Sequence, residues 1–245
     1  MKKLLKWIFG VLVIVIVCGI TYVRLAMGMS LPEGVAGIEA DALASKMMVK
    51  VNEQAWNDTR FLTWSFAERN TYIWDRSRSL IHISFDNAEV VLHSQDLSGW
   101  AIEHGEVVSD SEYERLQEKA WSNFCNDSFW LIAPLKVMDD GVQRKLVDSD
   151  KGSALLVTYP SGGVTPGDSY LWFINEDGLP YAYRMWVDII PVPGLEVSWE
   201  DWTELHTGVL VAQKHMLGPL NISITDLKSG STLEEIGLSK DPFVQ

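Results

Sequence analysis

The sequence predicts an α+β domain, mainly antiparallel β, carried behind one membrane-spanning helix. Three observations support this. An apolar run follows the N-terminal lysines, about a dozen short segments alternate apolar and polar residues, and two stretches show helical spacing. The expected architecture is an antiparallel sheet of about 10–12 strands, either curved around helices or closed into a barrel, with one N-terminal and one mid-chain helix.

The span comes first. Lys2, Lys3 and Lys6 precede an apolar run from Trp7 to Val23, which Arg24 closes. As a helix, Leu4 to Val23 matches the ~30 Å hydrocarbon thickness of a bilayer. Residues 1–26 are therefore expected to be a signal anchor whose preceding lysines keep the N-terminus cytoplasmic. A cleaved signal peptide is the alternative, with Ala26-Met27-Gly28 as the best cleavage site. Acylation of Cys18 fits less well, because Val17 stands where a small residue is needed.

Charge and cysteine content limit the exported part. None of the 33 acidic residues lies in the first 24 positions, so the remainder carries 16 basic residues against 33 acidic ones, a net −17. That balance disfavours nucleic acid, and it disfavours adhesion to anionic lipid by charge alone. Cys18 lies in the span, so Cys125 has no partner within the exported domain. The fold must then rest on its hydrophobic core, which a chain of this length supports.

The elements follow in order. Residues 27–38 contain Gly, Pro and Ser and read as a linker. Leu43, Met47, Met48 and Val51 repeat at helical spacing, predicting a helix over about 39–56. From Arg60 the period becomes two: FLTWSF, NTYIWDRS, SLIHISF, AEVVLHS and GWAIEHGEVV form a meander. Ser109-Asp110-Ser111 caps a helix with Tyr113, Leu116, Ala120 and Phe124 on one face, expected to end near Asn126-Asp127. Strands then resume with QRKLVD, SALLVTYP, DSYLWFIN, PYAYRMWVD, VSWEDWTEL, GVLVAQKHML and NISITDL. The domain is expected to run from 39 to 230, with a polar tail, 231–245, that frays.

Several motifs could carry chemistry. The chain has 11 tryptophans, and large inward rings serve either a packed core or a ligand cavity. The candidate cavity wall is Leu62, Trp64, Phe66, Trp74, Ile83, Phe85, Trp130, Leu131, Tyr170, Trp172, Ile174 and Trp186. Lys136 is a candidate for a ligand headgroup. His82, His93 and His104 recur every eleven residues and are candidates for a metal, against the simpler reading of sheet-surface histidines. Trp199 and Trp202 lie among Glu196, Glu200, Asp201 and Glu204 and are expected to be exposed, as a surface for a protein or glycan. There is no Gly-x-Ser-x-Gly elbow, His-Glu-x-x-His, Cys-x-x-Cys or Walker lysine. The glycine-rich loop at 162–167 reads as a turn between strands.

Two motifs carry a family resemblance. Trp130-Leu131-Ile132-Ala133-Pro134-Leu135-Lys136, followed by Asp139-Asp140-Gly141, is similar to the stretch after the lid helix in periplasmic lipoprotein-localisation carriers and related envelope proteins. Gly208 to Lys214 resembles their recurring Gly-Φ-x-Φ-Pro strand, with Ala212 at the proline position. The loop from Ser161 to Asp168, with its Trp-rich neighbours, resembles an uncharacterised envelope family of this fold. The resemblance covers roughly 39–228. It implies a strongly curved, incompletely closed barrel, a mid-chain lid helix and a greasy cavity for acyl chains. It also departs from the carriers, which diffuse freely after signal cleavage.

The expectation is a membrane-anchored protein of a bacterial envelope that binds a lipid or acyl chain without catalysis or cofactor. Its partners would be the membrane, the apolar ligand and an envelope protein. An interaction module built on 196–204 and a metal-dependent hydrolase built on the three histidines are the alternatives.

Overall fold

The computed structural model describes residues 6, 7, 9–12 and 28–244. Most of the expected span lies outside them, as does the cleavage site at Ala26-Met27. Among the described residues no helix is long and apolar enough to cross a membrane.

Fourteen strands form one antiparallel sheet that does not close. The first meander is β1 (Phe61–Phe66), β2 (Asn70–Asp75), β3 (Leu80–Phe85), β4 (Ala88–His93), β5 (Gly99–Glu103) and β6 (Glu106–Val107). The second is β7 (Gln143–Ser149), β8 (Gly152–Thr158), β9 (Ser169–Ile174), β10 (Pro180–Trp186), β11 (Leu195–Ser198), β12 (Glu200–Glu204), β13 (Leu210–Leu217) and β14 (Leu220–Gly230). Strand β1 pairs with β14, Phe61 opposite Gly230, and so joins the two meanders. The edges are β6 and β7.

Two of the twelve expected runs are each split. His104 and Gly105 both take positive φ (54° and 83°), turning GWAIEHGEVV back on itself as β5 and β6. VSWEDWTEL breaks at Trp199, whose backbone N–H still donates to Tyr181 O on β10 at 2.8 Å, into β11 between β10 and β13 and β12 on β13. Gly99 permits a close approach between β5 and β4, since a Cβ there would lie 1.9 Å from Val91 O.

The N-terminal helix also divides, into α1 (Ile38–Lys50) and α2 (Glu53–Asp58). Asn52 sits between them at φ 65°, a left-handed conformation that asparagine tolerates. Its side chain caps α2 by accepting from Ala55 N–H and reaches Gly208 O at 2.9 Å. The expected linker is docked to the sheet: Val35 pairs with Leu146 on edge strand β7.

Helix α3 (Asp110–Ile132) connects the two sheet edges in sequence and packs across one face of the sheet, on β3 to β5 and on β13. The Glu112 carboxylate closes its first turn by accepting from the Ser109 N–H and hydroxyl. It runs past the expected end at Asn126-Asp127 and passes into a 3-10 turn at Ala133–Leu135. No residue before Pro134 breaks it. Asp127 turns into the core instead of capping the helix, accepting from Tyr72 Oη at 2.5 Å and Asn70 Nδ2 at 2.8 Å.

Alternation along the strands sorts side chains onto two faces. The helix-covered face carries two large clusters, one around Trp64, Tyr72, Ile83 and Phe124 and one around Trp172, Tyr183, Met185 and Trp199. Trp130 on α3 packs against both. The opposite face carries a small cluster around Leu171 and Phe173, and another that the C-terminal tail covers. The tail does not fray as expected. Ile236 and Phe243 are buried against Phe61 and Val91, and Arg78 bridges Asp75 (2.6 Å) to Asp241 (2.7 Å).

Candidate ligand cleft

The second half of α3 presents Trp121, Phe124, Cys125, Ser128, Phe129 and Ile132 at spacings of three and four, one stripe along the helix. Opposite that stripe, Tyr170, Tyr183 and Met185 project from β9 and β10. Between them lies a cleft of about 570 Å³. Its walls are aromatic: Phe129 sits 4.7 Å from Tyr170 and 5.5 Å, edge-on, from Tyr159, and Tyr170 sits 5.2 Å, edge-on, from Tyr183. Trp74 lines its far end, meeting Phe124 edge-on at 5.2 Å.

Three loops form the rim, all at one end of the sheet: 136–142 before β7, 159–168 between β8 and β9, and 187–194 between β10 and β11. Two of the rim loops bring polar groups, and the third, 187–194, lines the cleft with Val187, Ile189 and Ile190. Lys136 pairs with Asp139 at 2.5 Å, and Asp168 accepts from Thr165 at 2.6 Å and Tyr170 at 3.4 Å. Burial raises the Asp168 carboxyl above its ordinary range despite those donors. Burial also pushes the Cys125 thiol up to about 11, so it is a neutral, unreactive wall group. The Tyr159 hydroxyl is buried on the rim with no hydrogen-bond partner among the described residues. Such a group favours a ligand that brings an acceptor or donor to it.

Of the cavity candidates, Trp74, Trp130 and Tyr170 line the cleft, and so does Lys136. Leu62, Trp64, Ile83, Phe85 and Leu131 are buried in the first core cluster, and Phe66 packs at its margin. Trp172 is buried in the second cluster beside Ile174. Trp186 projects from the opposite face, donating its indole N–H to Met29 O at 2.8 Å. Strand β10 has aromatic residues on both faces, so its alternation alone does not show which side is inward. The cleft also uses Phe129, Tyr159, Tyr183 and the loop residues Val187, Ile189 and Ile190. The strand residues among them carried the same aromatic signal as the core. The loops carried only turn composition.

The histidines do not converge. His82 meets Glu89 at 3.3 Å, His93 meets Asp96 at 3.3 Å, and His104 occupies the β5–β6 turn. Among the described residues no group of three or more His, Cys, Asp or Glu side chains is placed to hold a metal ion. Trp199 is buried, 2 % exposed, because the break between β11 and β12 turns it inward against Trp172 and His215. Trp202 is half-buried and donates to Trp199 O. The acidic strand therefore does not present the pair of exposed rings expected of it. A second recess of about 370 Å³, near Glu204, His206 and Lys228, is polar.

The fold and cleft define a class: an open antiparallel sheet with an aromatic cleft along its crossover helix. No protein-family model matches the chain, and no curated protein matches it.

Proposed function

We propose that this chain is a membrane-anchored envelope protein whose half-barrel holds a lipid or acyl chain in the α3 cleft, without catalysis. The observation that carries the reading is the cleft itself, about 570 Å³ with a wall of aromatic side chains from α3, β9 and β10. That volume falls within the ~300–1,000 Å³ typical of small-molecule sites, and the lining is the apolar kind such sites use. Burial of ligand hydrocarbon at about 25 cal/mol per Å² would drive binding, less the losses of association. The Tyr159 hydroxyl, unpartnered among the described residues, and the Asp168–Thr165 pair supply polar contacts at the rim. The apolar run at Trp7–Val23 supports retention at a membrane, with the domain in the periplasm and the N-terminus in the cytoplasm.

The test is uptake of a fluorescent fatty acid by the native chain and by Ile190→Glu, which places a charge on the cleft wall. The reading predicts saturable uptake by the native chain and at least a tenfold weaker Kd in the folded variant. Equal uptake by both would place the ligand elsewhere.

A further inference from the structure

The first residues of the described body dock against one of the rim loops, on the side of the sheet opposite the cleft. Met29 N–H donates to Pro193 O at 2.9 Å, and Met29 O accepts from the Trp186 indole at 2.8 Å. The contact is close: Gly194, at φ 81°, has no room for a side chain, since a Cβ there would lie 2.6 Å from the Met29 Cβ. Pro193 and Gly194 belong to the same 187–194 loop whose Val187, Ile189 and Ile190 line the cleft. Only Arg24 to Gly28 separate Met29 from the apolar run that ends at Val23. Fully extended, that connection spans no more than about 20 Å.

The tips of the rim loops are apolar and exposed. Ile189 is 69 % exposed, Val164 46 % and Met138 38 %, one on each of the three rim loops. Asp139, Asp140 and Asp188 lie among them and outnumber Lys136, the one basic residue of these loops, so an anionic surface is repelled. An uncharged hydrocarbon interface is not.

The geometry points to a membrane-facing mouth: the end of the sheet bearing Met138, Val164 and Ile189 dips into the zwitterionic bilayer that holds the span, so that the cleft opens toward lipid. This rests on the proposed retention of the span. Three exposed apolar side chains bind a bilayer weakly by themselves. The tether keeps them at its surface, which raises their effective concentration there.

The test uses the full chain, reconstituted into phosphatidylcholine vesicles, in a Cys18→Ser/Cys125→Ser background. An environment-sensitive dye is placed in turn at Val164→Cys, Ile189→Cys and Glu176→Cys, the last in the β9–β10 turn at the opposite end of these strands. The expected result is a blue-shifted emission at 164 and 189, quenched at least twofold more than at 176 by lipid carrying a doxyl group on its acyl chain. Labels at 164 and 189 as water-exposed as the one at 176, on chains that float with the vesicles, would overturn the proposal while leaving the anchor intact, and would leave these loops to a protein partner. A chain that does not float with the vesicles loses the anchor, and the proposal with it.

Discussion

Trp64 and Ile190 separate the two things an apolar residue does in this domain. Trp64 is 1 % exposed and stacked 4.5 Å from Tyr72, so Trp64→Glu reports on folding and not on ligand. Ile190 is half-buried on the cleft wall, so its replacement tests the proposed ligand binding. Buried polar residues add a pH signature. His215 is fully buried between Trp130 and Trp199, and burial lowers its pKa to about 4. The unfolded histidine takes up a proton near its ordinary pKa and the folded one does not. Stability therefore falls as pH drops from about 6.5 toward 4, by up to about 1.4 kcal/mol per pH unit. Urea unfolding of native chain and His215→Phe across that window should show a shallower slope in the variant. Asp127 acts in the opposite sense. Burial raises its carboxyl even though Tyr72, Asn70 and Asn126 donate to it, so its contribution to stability weakens as pH rises through the carboxylate range. Removing one donor, as in Tyr72→Phe, should cost about 1–3 kcal/mol in the same assay.

At the scale of elements, α3 and the tail decide how the sheet is covered. Helix α3 brings Trp130 to both core clusters and begins with the Ser109–Glu112 box, so Ser109→Ala should lower stability by about 1 kcal/mol. The tail is held by Phe243 and by the Asp75–Arg78–Asp241 chain. Burial would raise the Asp75 carboxyl, but hydrogen bonds from Arg60, Arg78 and Ser77 outweigh it and hold the pKa down to about 2. The Asp75 contribution is therefore complete above the ordinary carboxylate pKa and is lost as pH falls through about 2. Phe243→Ala should remove about 3–5 kcal/mol of packing and expose the tail to limited proteolysis ahead of the sheet. An unchanged cleavage pattern would mean that Phe243 does not hold it. Elements of this kind were only partly legible in the sequence. The alternation of FLTWSF and SLIHISF marked strands and their inward faces correctly, because one face of each packs on the core. The end of α3 was missed because Asn126-Asp127 looks like a cap, whereas Asp127 is bonded to a strand 55 residues away. The buried contacts of Ile236 and Phe243 were hidden for the same reason, since composition says nothing about a distant partner.

For the whole molecule, the central question is whether the space along α3 holds a ligand. The sequence marked the aromatic strands but did not separate Trp172, which fills core, from Tyr170, which lines the cleft two residues earlier. That difference depends on where α3 and the rim loops lie, and nothing in the strand pattern records it. Native mass spectrometry of residues 28–245, purified from a bacterial host, tests the account most directly. The account predicts a folded domain carrying a near-stoichiometric adduct of lipid mass, which Ile190→Glu depletes. A folded domain that emerges empty and takes up no lipid on titration would contradict it.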